Sequence, residues 1–485
     1  MFKRIILMKK LLIIGIVLLA SSKNNLLGQN LSSSMTYSTN YGDNGTDDAD
    51  VVTVDLGGNT YLGCHSNSAD LPGATQYRYS LAGDMDAFVV KLNKKDNDIG
   101  YITHLGGENW DAVQGIITDS IRNIYAVGTT YSSDFPIHKS GFQSTFGGKS
   151  DAFVVKLDPQ GNVVWSTFLG GSEDEDGRDI AMDKHGNIHI VGRTASTDFP
   201  TTNEALQSKS GGKIDAFVTT FDSNGKILAS TYLGGSGDDI GFSIALDRMD
   251  QLYIAGTTNS QNFPLKNAIQ TEIMGEDDAF IAVIDQPKSV INFASYLGGG
   301  RSERLYGIEV DSAGDVFIMG FTNSSDYPTT KKAFQLDFRG IRDVFVTRLD
   351  IHNQKLIYST YLGGNGDDRP KNFLIDKKGN ACIIGFTDSN VFPWTEKRTT
   401  YSGGEGDAFI SIIDPSGSTL RFTNLIGGKG DDFFEGLAAG PDGSLTMSGG
   451  TDSVDFPLID PIQDSNKGGR FDIIVTRISL DKIKF

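Results

Sequence analysis

The stretch Leu362-Gly363-Gly364-Asn365-Gly366-Asp367-Asp368 decides the fold of this chain, because a form of it occurs seven times. Each copy begins with a large apolar or aromatic residue followed by glycine, and successive copies are separated by 64, 64, 64, 64, 65 and 64 residues. A period of this size over nearly the whole chain predicts repeat units that bury their apolar faces against their neighbours. The anchor residues that open the seven units are Tyr41, Leu105, Leu169, Leu233, Leu297, Leu362 and Ile426.

A single unit contains the pattern of four short strands. In the unit that begins at Leu169, residues 179–182 and 188–192 flank the turn 183–187, and the third and fourth strands flank the turn 222–225. Four antiparallel strands joined by tight hairpins form a propeller blade. The sequence therefore predicts an all-β protein, a seven-bladed β-propeller of four-stranded antiparallel blades.

The two ends of the chain predict how the ring closes. The last unit reaches Phe485 before a complete fourth strand, whereas residues 35–41 have the pattern of a fourth strand, as in Tyr358-Ser359-Thr360-Tyr361. We therefore expect residues 35–41 to supply the outermost strand of the seventh blade, which would leave no exposed edge there.

The first thirty residues have the composition of a signal peptide. Basic residues at positions 3, 4, 9 and 10 precede the apolar segment Leu11 to Ala20, which is too short to span a bilayer as a helix. Cleavage after Ser22 and after Gly28 remain alternatives. We expect an exported protein, secreted or periplasmic, with residues 31–485 as a single propeller domain and no membrane span.

The net charge indicates which partners the chain can bind, and the two cysteines indicate whether it forms a disulfide. The chain has 43 basic and 61 acidic residues, a net charge of −18, so it should repel nucleic acids over most of its surface. Cys64 and Cys382 fall in units that are not neighbours around the ring, which argues against a disulfide. We expect a monomer that binds an extracellular protein or a glycan.

The repeated motifs resemble those of a known family. Tyr358 to Asp368, the Lys378-Gly379-Asn380 turn, the Asp198-Phe199-Pro200-Thr201-Thr202 loop and Asp215-Ala216-Phe217-Val218 together are similar to the bacterial β-propeller repeat called SBBP. The resemblance extends from about residue 35 to 485. It implies an exported bacterial propeller and brings no shared catalytic residues.

Every unit carries a carboxylate six residues after its anchor. A ring of such oxygen ligands on glycine-rich loops would suit Ca²⁺, the one cofactor that the sequence suggests. The favoured interpretation is structural, because Ca²⁺ needs six to eight oxygens at one point, and carboxylates in turns commonly accept glycine N–H groups. These carboxylates are Asp47, Asp111, Glu175, Asp239, Glu303, Asp368 and Asp432.

A second repeated aspartate opens the third strand of each unit, for example Asp215. We expect it to be buried and to bind either a backbone group or the hydroxyl of a recurring loop serine, such as Ser196. Seven equal copies argue against catalysis, which needs one asymmetric site. The sequence has no nucleophile elbow or P-loop, and its one pair at metal-ligand spacing, His185 and His189, spans a hairpin and a strand and is interpreted as accidental.

Strand alternation places the carboxylate turns and the long loops between second and third strands on one face, and the short hairpins on the other. Long loops on a rigid scaffold commonly carry recognition. We predict a non-enzymatic binding module that uses the long-loop face, with exposed aromatic candidates Trp110, Tyr131, Tyr327 and Trp394. The alternatives are a propeller-type glycan hydrolase or lyase with acidic residues at the channel mouth, and a structural envelope component.

Overall fold

The computed structural model describes residues 29–73, 80–138, 141–395 and 403–483. The predicted signal peptide lies outside the described residues except for its last two, which begin the short helix α1 (Gln29–Ser34). The other regular structure of the described residues is twenty-eight strands, β1 to β28, and two short 3₁₀ helices at Gln286–Lys288 and Leu480–Lys482.

The strands form seven four-stranded antiparallel sheets, the blades of a propeller. Blade 1 contains β2 (Asp47–Val54), β3 (Thr60–Ser66), β4 (Asp86–Leu92) and β5 (Ile99–His104). Blade 2 contains β6 (Asp111–Thr118), β7 (Ile124–Thr130), β8 (Asp151–Leu157) and β9 (Val163–Leu169). Blade 3 contains β10 (Glu175–Met182), β11 (Ile188–Thr194), β12 (Asp215–Phe221) and β13 (Ile227–Leu233).

The next three blades follow the same order. Blade 4 contains β14 (Asp239–Leu246), β15 (Leu252–Thr258), β16 (Asp278–Asp285) and β17 (Val290–Leu297). Blade 5 contains β18 (Glu303–Val310), β19 (Val316–Thr322), β20 (Asp343–Asp350) and β21 (Lys355–Leu362). Blade 6 contains β22 (Asp368–Ile375), β23 (Ala381–Thr387), β24 (Asp407–Ile413) and β25 (Leu420–Ile426).

Blade 7 combines strands from both ends of the described chain. It contains β26 (Asp432–Ala439), β27 (Ser444–Thr451), β28 (Asp472–Ser479) and β1 (Met35–Tyr41). β1 pairs antiparallel with β28 along most of its length, with Ser38 opposite Thr476 and Tyr41 opposite Ile473. The first strand therefore covers the outer edge of the last blade.

The turns explain why the hairpins form where they do. Between β10 and β11, Oδ1 of Asp183 accepts hydrogen bonds from the amides of His185 and Asn187, both at 2.8 Å. Gly186 has φ of 81°, a left-handed conformation that glycine adopts without steric penalty. The Asp-x-x-Gly-Asn pattern in the sequence thus specifies the turn directly.

The core lies between blades. The described residues form seven buried apolar clusters, and each draws on two neighbouring blades. One cluster, for instance, joins Tyr61 and Val89 of blade 1 to Val113 and Phe153 of blade 2. Each blade is therefore stabilised by the two blades beside it, as the repeat period predicts.

Two smaller observations complete the fold. Cys64 on β3 and Cys382 on β23 are both buried and unbridged, in different blades. Within the described ranges, no helix has the length and apolar character needed to cross a membrane.

We predict that removing residues 29–41 destabilises the protein by several kcal/mol. The deletion removes a strand that is buried along nearly its whole length and exposes the edge of β28. Urea unfolding of the shortened and full-length chains measures the difference. Equal midpoints and equal slopes would show that β1 contributes nothing to the ring.

Candidate binding site in the central channel

The central channel is lined by residues from the inner strands of all seven blades: β2, β6, β10, β14, β18, β22 and β26. Its cavity has a volume of about 680 Å³. This volume falls within the range of about 300–1,000 Å³ that is usual for small-molecule sites.

One position of each inner strand, three residues after the repeated carboxylate, carries a different residue in every blade. We call these seven residues, which all line the channel, the variable ring. Two positions further along each strand, the lining residue is apolar in every blade. The variable ring is Asp50, Gln114, Arg178, Phe242, Tyr306, Lys371 and Glu435. The apolar ring below it is Val52, Ile116, Ile180, Ile244, Ile308, Phe373 and Leu437.

A β-bulge accounts for the position of the variable ring. In every blade the register between the inner strand and its neighbour shifts once, and the variable-ring residue lies in that shift. In blade 3, for example, Gly177 pairs with Gly192 and Asp179 with Val191, so Arg178 has no partner in the ladder. Bulges interrupt pairing and re-aim side chains, and they are common next to functional sites.

Acidic and basic side chains meet in the channel where blades 6, 7 and 1 converge. Nδ1 of His65 lies 2.8 Å from Oδ2 of Asp50, and Lys371 Nζ contacts Glu435 Oε1. Asp48 also belongs here. One carboxylate oxygen of Asp48, one of Asp50 and one ring nitrogen of His65 lie within 4.8 Å of one another. We call these five residues the acid corner.

Burial and mutual contact separate the pKa values in the acid corner. Burial raises the pKa of Asp48 well above its usual value and also raises that of Glu435. Burial has the same effect on Asp50, but the charge of His65 and hydrogen bonds from His65 and Glu435 hold its pKa below the usual value. Burial disfavours the His65 imidazolium, yet Asp50 raises its pKa to about 10. His65 and Asp50 are therefore a charged pair at neutral pH.

On the opposite side of the ring, blades 3 to 5 contribute arginines and aromatic rings. The guanidinium carbon of Arg178 lies 5.3 Å from the centre of the Phe242 ring, and that of Arg304 lies 4.9 Å from the same centre. Arg304 also lies 5.6 Å from the Tyr306 ring, and the two aromatic rings are 5.8 Å apart. We call Arg178, Phe242, Arg304 and Tyr306 the arginine corner.

The repeated carboxylates that the sequence offered as Ca²⁺ ligands lie above the variable ring and are fully buried. In blade 4, Asp239 accepts hydrogen bonds from the Thr258 hydroxyl at 2.5 Å, the Ser260 hydroxyl at 2.7 Å and the Gly235 amide at 2.7 Å. Glu175 is held in the same way by Thr194 and Gly171. Both carboxylate oxygens of Asp239 and of Glu175 thus accept hydrogen bonds from protein donors.

The recurring loop serines do not bind the third-strand aspartates, so that part of our expectation is wrong. The Ser260 hydroxyl donates to Asp239, the inner-strand carboxylate, because the end of the second strand adjoins the inner strand. The third-strand aspartate Asp215 instead accepts the Gly211 amide at 2.8 Å, the backbone alternative. Asp343 likewise accepts the Arg339 amide, at 3.0 Å.

These buried carboxyls predict that the protein is most stable at mildly acidic pH. Burial raises the pKa of Asp151, Asp343 and Asp432 to about 7 in the folded chain, from about 4 when unfolded. The folded state therefore binds more protons between pH 4 and 7, and stability decreases as the pH rises through 7. Carboxyls with a lowered pKa, such as Asp350 at about 2, change the stability only below about pH 4, where they become protonated.

The measurement is the melting temperature at pH 5 and pH 8. We expect the higher value at pH 5, and Asp432→Asn, which mimics the protonated carboxyl, should reduce the difference. A higher melting temperature at pH 8 would contradict the prediction.

The four predicted aromatic residues lie in different environments. Trp110 and Tyr131 meet on the long-loop face with ring centres 5.8 Å apart, and Trp110 lies 6.2 Å from the His65 ring of the acid corner. Tyr131 is 42% exposed, whereas Trp110 is partly buried. Trp394 is also partly buried, with its ring centre 4.8 Å from that of Phe392.

Tyr327 is not exposed, which corrects its assignment as a surface residue. It is 2% exposed, stacks on Phe345 at 4.6 Å and hydrogen-bonds Thr347 at 3.1 Å. Phe199 stacks on Phe217 at the same distance in blade 3, and both aromatic residues precede a loop proline. Tyr327 is therefore the loop anchor of blade 5, and the repeat register already indicated this role.

We predict that Tyr327→Ala destabilises the protein by about 3–5 kcal/mol, because it removes a buried aromatic side chain. Tyr131→Ala should cost less, about 1 kcal/mol, since this side chain is 42% exposed and contacts one ring, that of Trp110. Chemical unfolding of both variants compares them directly. Tyr327→Phe, which keeps the ring, should recover most of the loss, and an unchanged Tyr327→Ala protein would contradict the anchor role.

The sequence analysis missed the variable ring, although the signal for it was present. Polar positions that recur in every unit, such as Asp239, accept hydrogen bonds within the scaffold. The variable ring is instead the position at which seven otherwise similar units differ in charge, size and aromaticity. Its place in the channel depends on the bulge, which the sequence pattern does not reveal.

Comparison with known proteins supports the repeat. The family model of the SBBP β-propeller repeat matches residues 164–200, 230–264 and 357–393. The chain is 23% identical over 310 residues to the regulatory protein FlaEY of Caulobacter vibrioides, a match that covers 60% of this chain and 32% of that protein. The chain thus spans about a third of that relative's length.

Solved structures resemble this chain only distantly. A protein of unknown function from Dyadobacter fermentans is 11% identical, with 92% of this chain and 98% of that chain covered and a TM-score of 0.42. A fungal alcohol oxidase of the AA5 family, in complex with copper, is 11% identical, with 93% and 78% covered and a TM-score of 0.46. Neither likeness bears on the function of this chain.

Proposed function

Since this chain carries β-propeller repeats of the SBBP family, we propose that it is an exported binding module for an extracellular glycan or protein. The ligand would enter from the long-loop face and contact the variable ring in the central channel. The main contact surface would thus be the lining of the channel, whereas the sequence pattern predicted the exposed aromatic residues of the long loops.

The variable ring carries the proposal. Seven bulged positions line one cavity, and they hold two acids, two bases, an amide and two aromatic residues. A ring that served only as a scaffold would gain nothing from seven different residues there, because blade packing depends on the apolar clusters between blades. A mixed polar and aromatic lining is typical of a recognition site.

The aromatic pair Trp110 and Tyr131 supports entry from the long-loop face. Tyr131 is exposed there, and the Trp110 ring connects it to His65 of the acid corner. A ligand that reached the channel from this face would pass these rings. Aromatic side chains with exposed surface are frequent contributors to binding energy.

The test is a glycan-array screen with the wild-type protein and three variants. Tyr306→Ala, in the variable ring, should weaken binding at least about tenfold, in keeping with the loss of a central aromatic contact. Tyr131→Ala should weaken it less, and Lys378→Ala, on the exposed hairpin face, should leave it unchanged. Loss of binding with Lys378→Ala, but not with Tyr306→Ala, would place the binding site on the hairpin face and contradict the proposal.

The acid corner favours glycan hydrolysis as the second candidate. Its carboxyl groups have pKa values moved in opposite directions, lower for Asp50 and higher for Asp48 and Glu435. Such separation allows one carboxyl to donate a proton while another stays ionised. A hydrolase panel with wild type, Asp50→Asn and Glu435→Gln tests this candidate, which would require turnover that either substitution abolishes.

A further inference from the structure

We infer that the arginine corner is an anion-binding site, and that the ligand of the channel is a small glycan carrying a single carboxylate. The inference rests on the proposed function and adds the chemical class of the ligand. It comes from comparing the charges on the two sides of the variable ring.

The acid corner needs no charged partner from outside. Asp50 is paired with His65, and Glu435 is paired with Lys371. Asp48 is buried and accepts the amide of Ala49 at 2.8 Å, and burial favours its protonated form. Because the charged groups of this side already have partners within the protein, it can offer acceptors to hydroxyl groups without demanding a cation.

The arginine corner is not balanced in this way. Arg178 and Arg193 share one carboxylate, with Oδ2 of Asp176 at 2.9 Å and 2.5 Å respectively. Arg304 is largely exposed, and it has neither an ion pair nor a hydrogen bond to any residue that the structure describes. Nε of Arg178 is buried without a hydrogen-bond partner. Arg178 and Arg193 thus share one carboxylate, and the Arg304 guanidinium has no ion-pair partner among the residues that the structure describes.

Two other carboxylates influence these arginines from beyond ion-pair distance. Asp174 favours the charged form of Arg193, and Arg304 favours the ionised form of Asp277. Burial nevertheless raises the pKa of Asp277, with repulsion from Glu276 and Asp238 acting in the same direction. Arg304 therefore interacts with Asp277 only at a distance, and the N–H donors of Arg304 have no ion-pair partner among the residues that the structure describes.

The aromatic rings hold these guanidinium groups in place. Arg178 and Arg304 both lie against the Phe242 ring, and Arg304 also lies against Tyr306. A cation–π contact uses the face of a guanidinium and leaves its N–H edge to form hydrogen bonds. That edge matches a carboxylate, which can accept two parallel hydrogen bonds.

The remainder of the variable ring favours a saccharide as the carrier of the carboxylate. Gln114, Asp50 and Glu435 supply amide and carboxyl groups, which bind sugar hydroxyls, and the cavity of about 680 Å³ has the size of a small-molecule site. A polyanion is disfavoured by the net charge of −18 that the whole chain carries. A ligand with one carboxylate and several hydroxyls satisfies both sides of the ring.

The experiment is titration calorimetry of the wild-type protein with cellobiouronic acid and with cellobiose, which differ in one carboxylate. We expect the acid to bind at least about tenfold more tightly, the gain of a charge-assisted contact. Arg304→Gln should reduce its affinity to that of cellobiose, and Arg178→Lys should weaken it in part. Arg248→Gln, the same charge change on the exposed hairpin face, is the matched control and should have no effect.

The outcomes separate this inference from the proposed function. Equal binding of both sugars, lost in Tyr306→Ala, would overturn the anion site and keep the channel as the binding site. Binding of neither sugar, or an equal loss in Arg248→Gln and Arg304→Gln, would also overturn the inference. A third titration with the 6-sulfate of cellobiose compares a sulfate with a carboxylate on the same sugar. Tighter binding of the sulfate would contradict the inference that the ligand carries a carboxylate. Melting temperatures of all variants verify that each is folded.

Discussion

One buried carboxylate joins each blade to the next, and the propeller depends on this contact being made seven times. In blade 4, Asp239 accepts hydrogen bonds from the turn that leaves blade 3, from the hydroxyl of the last residue of its neighbouring strand and from a hydroxyl two residues further on. A methyl group at Gly234 would lie 2.7 Å from Oδ2 of Asp239 and closer still to Asp215. The glycine that follows each anchor is therefore required by the approach of two buried carboxyls.

These contacts and the apolar clusters between blades stabilise the ring. The fold therefore does not require a particular residue at the bulged position of each inner strand. The bulged residue takes no part in the strand ladder, and it lines a cavity. Blade 2 has Gln114 at this position and blade 3 has Arg178. The two residues line the channel differently, while the two blades keep the same strand order. A repeat protein can in this way build one asymmetric site from seven similar units.

The channel also differs electrostatically from the protein around it. The chain carries a net charge of −18, yet Arg178 of the channel lining and the exposed Arg304 both lie against the Phe242 ring. Like charges repel, and the aromatic ring and the Asp176 carboxylate offset part of that repulsion. In the acid corner, by contrast, the opposing charges already lie within the protein.

The amino-acid sequence determined the number of blades, the hairpins and the loop anchors, because each of these is encoded within one unit of about 64 residues. Tyr327 illustrates this locality, since its position before a proline matches that of Phe199 and specifies its burial. The tertiary structure alone decided which side chains meet in the channel. The acid corner joins Asp48, Asp50 and His65 to Lys371 and Glu435, residues more than 300 positions apart that meet because the ring closes. No local pattern records such a meeting, since the distance between blades 1 and 7 is set by the twist and packing of all the sheets between them.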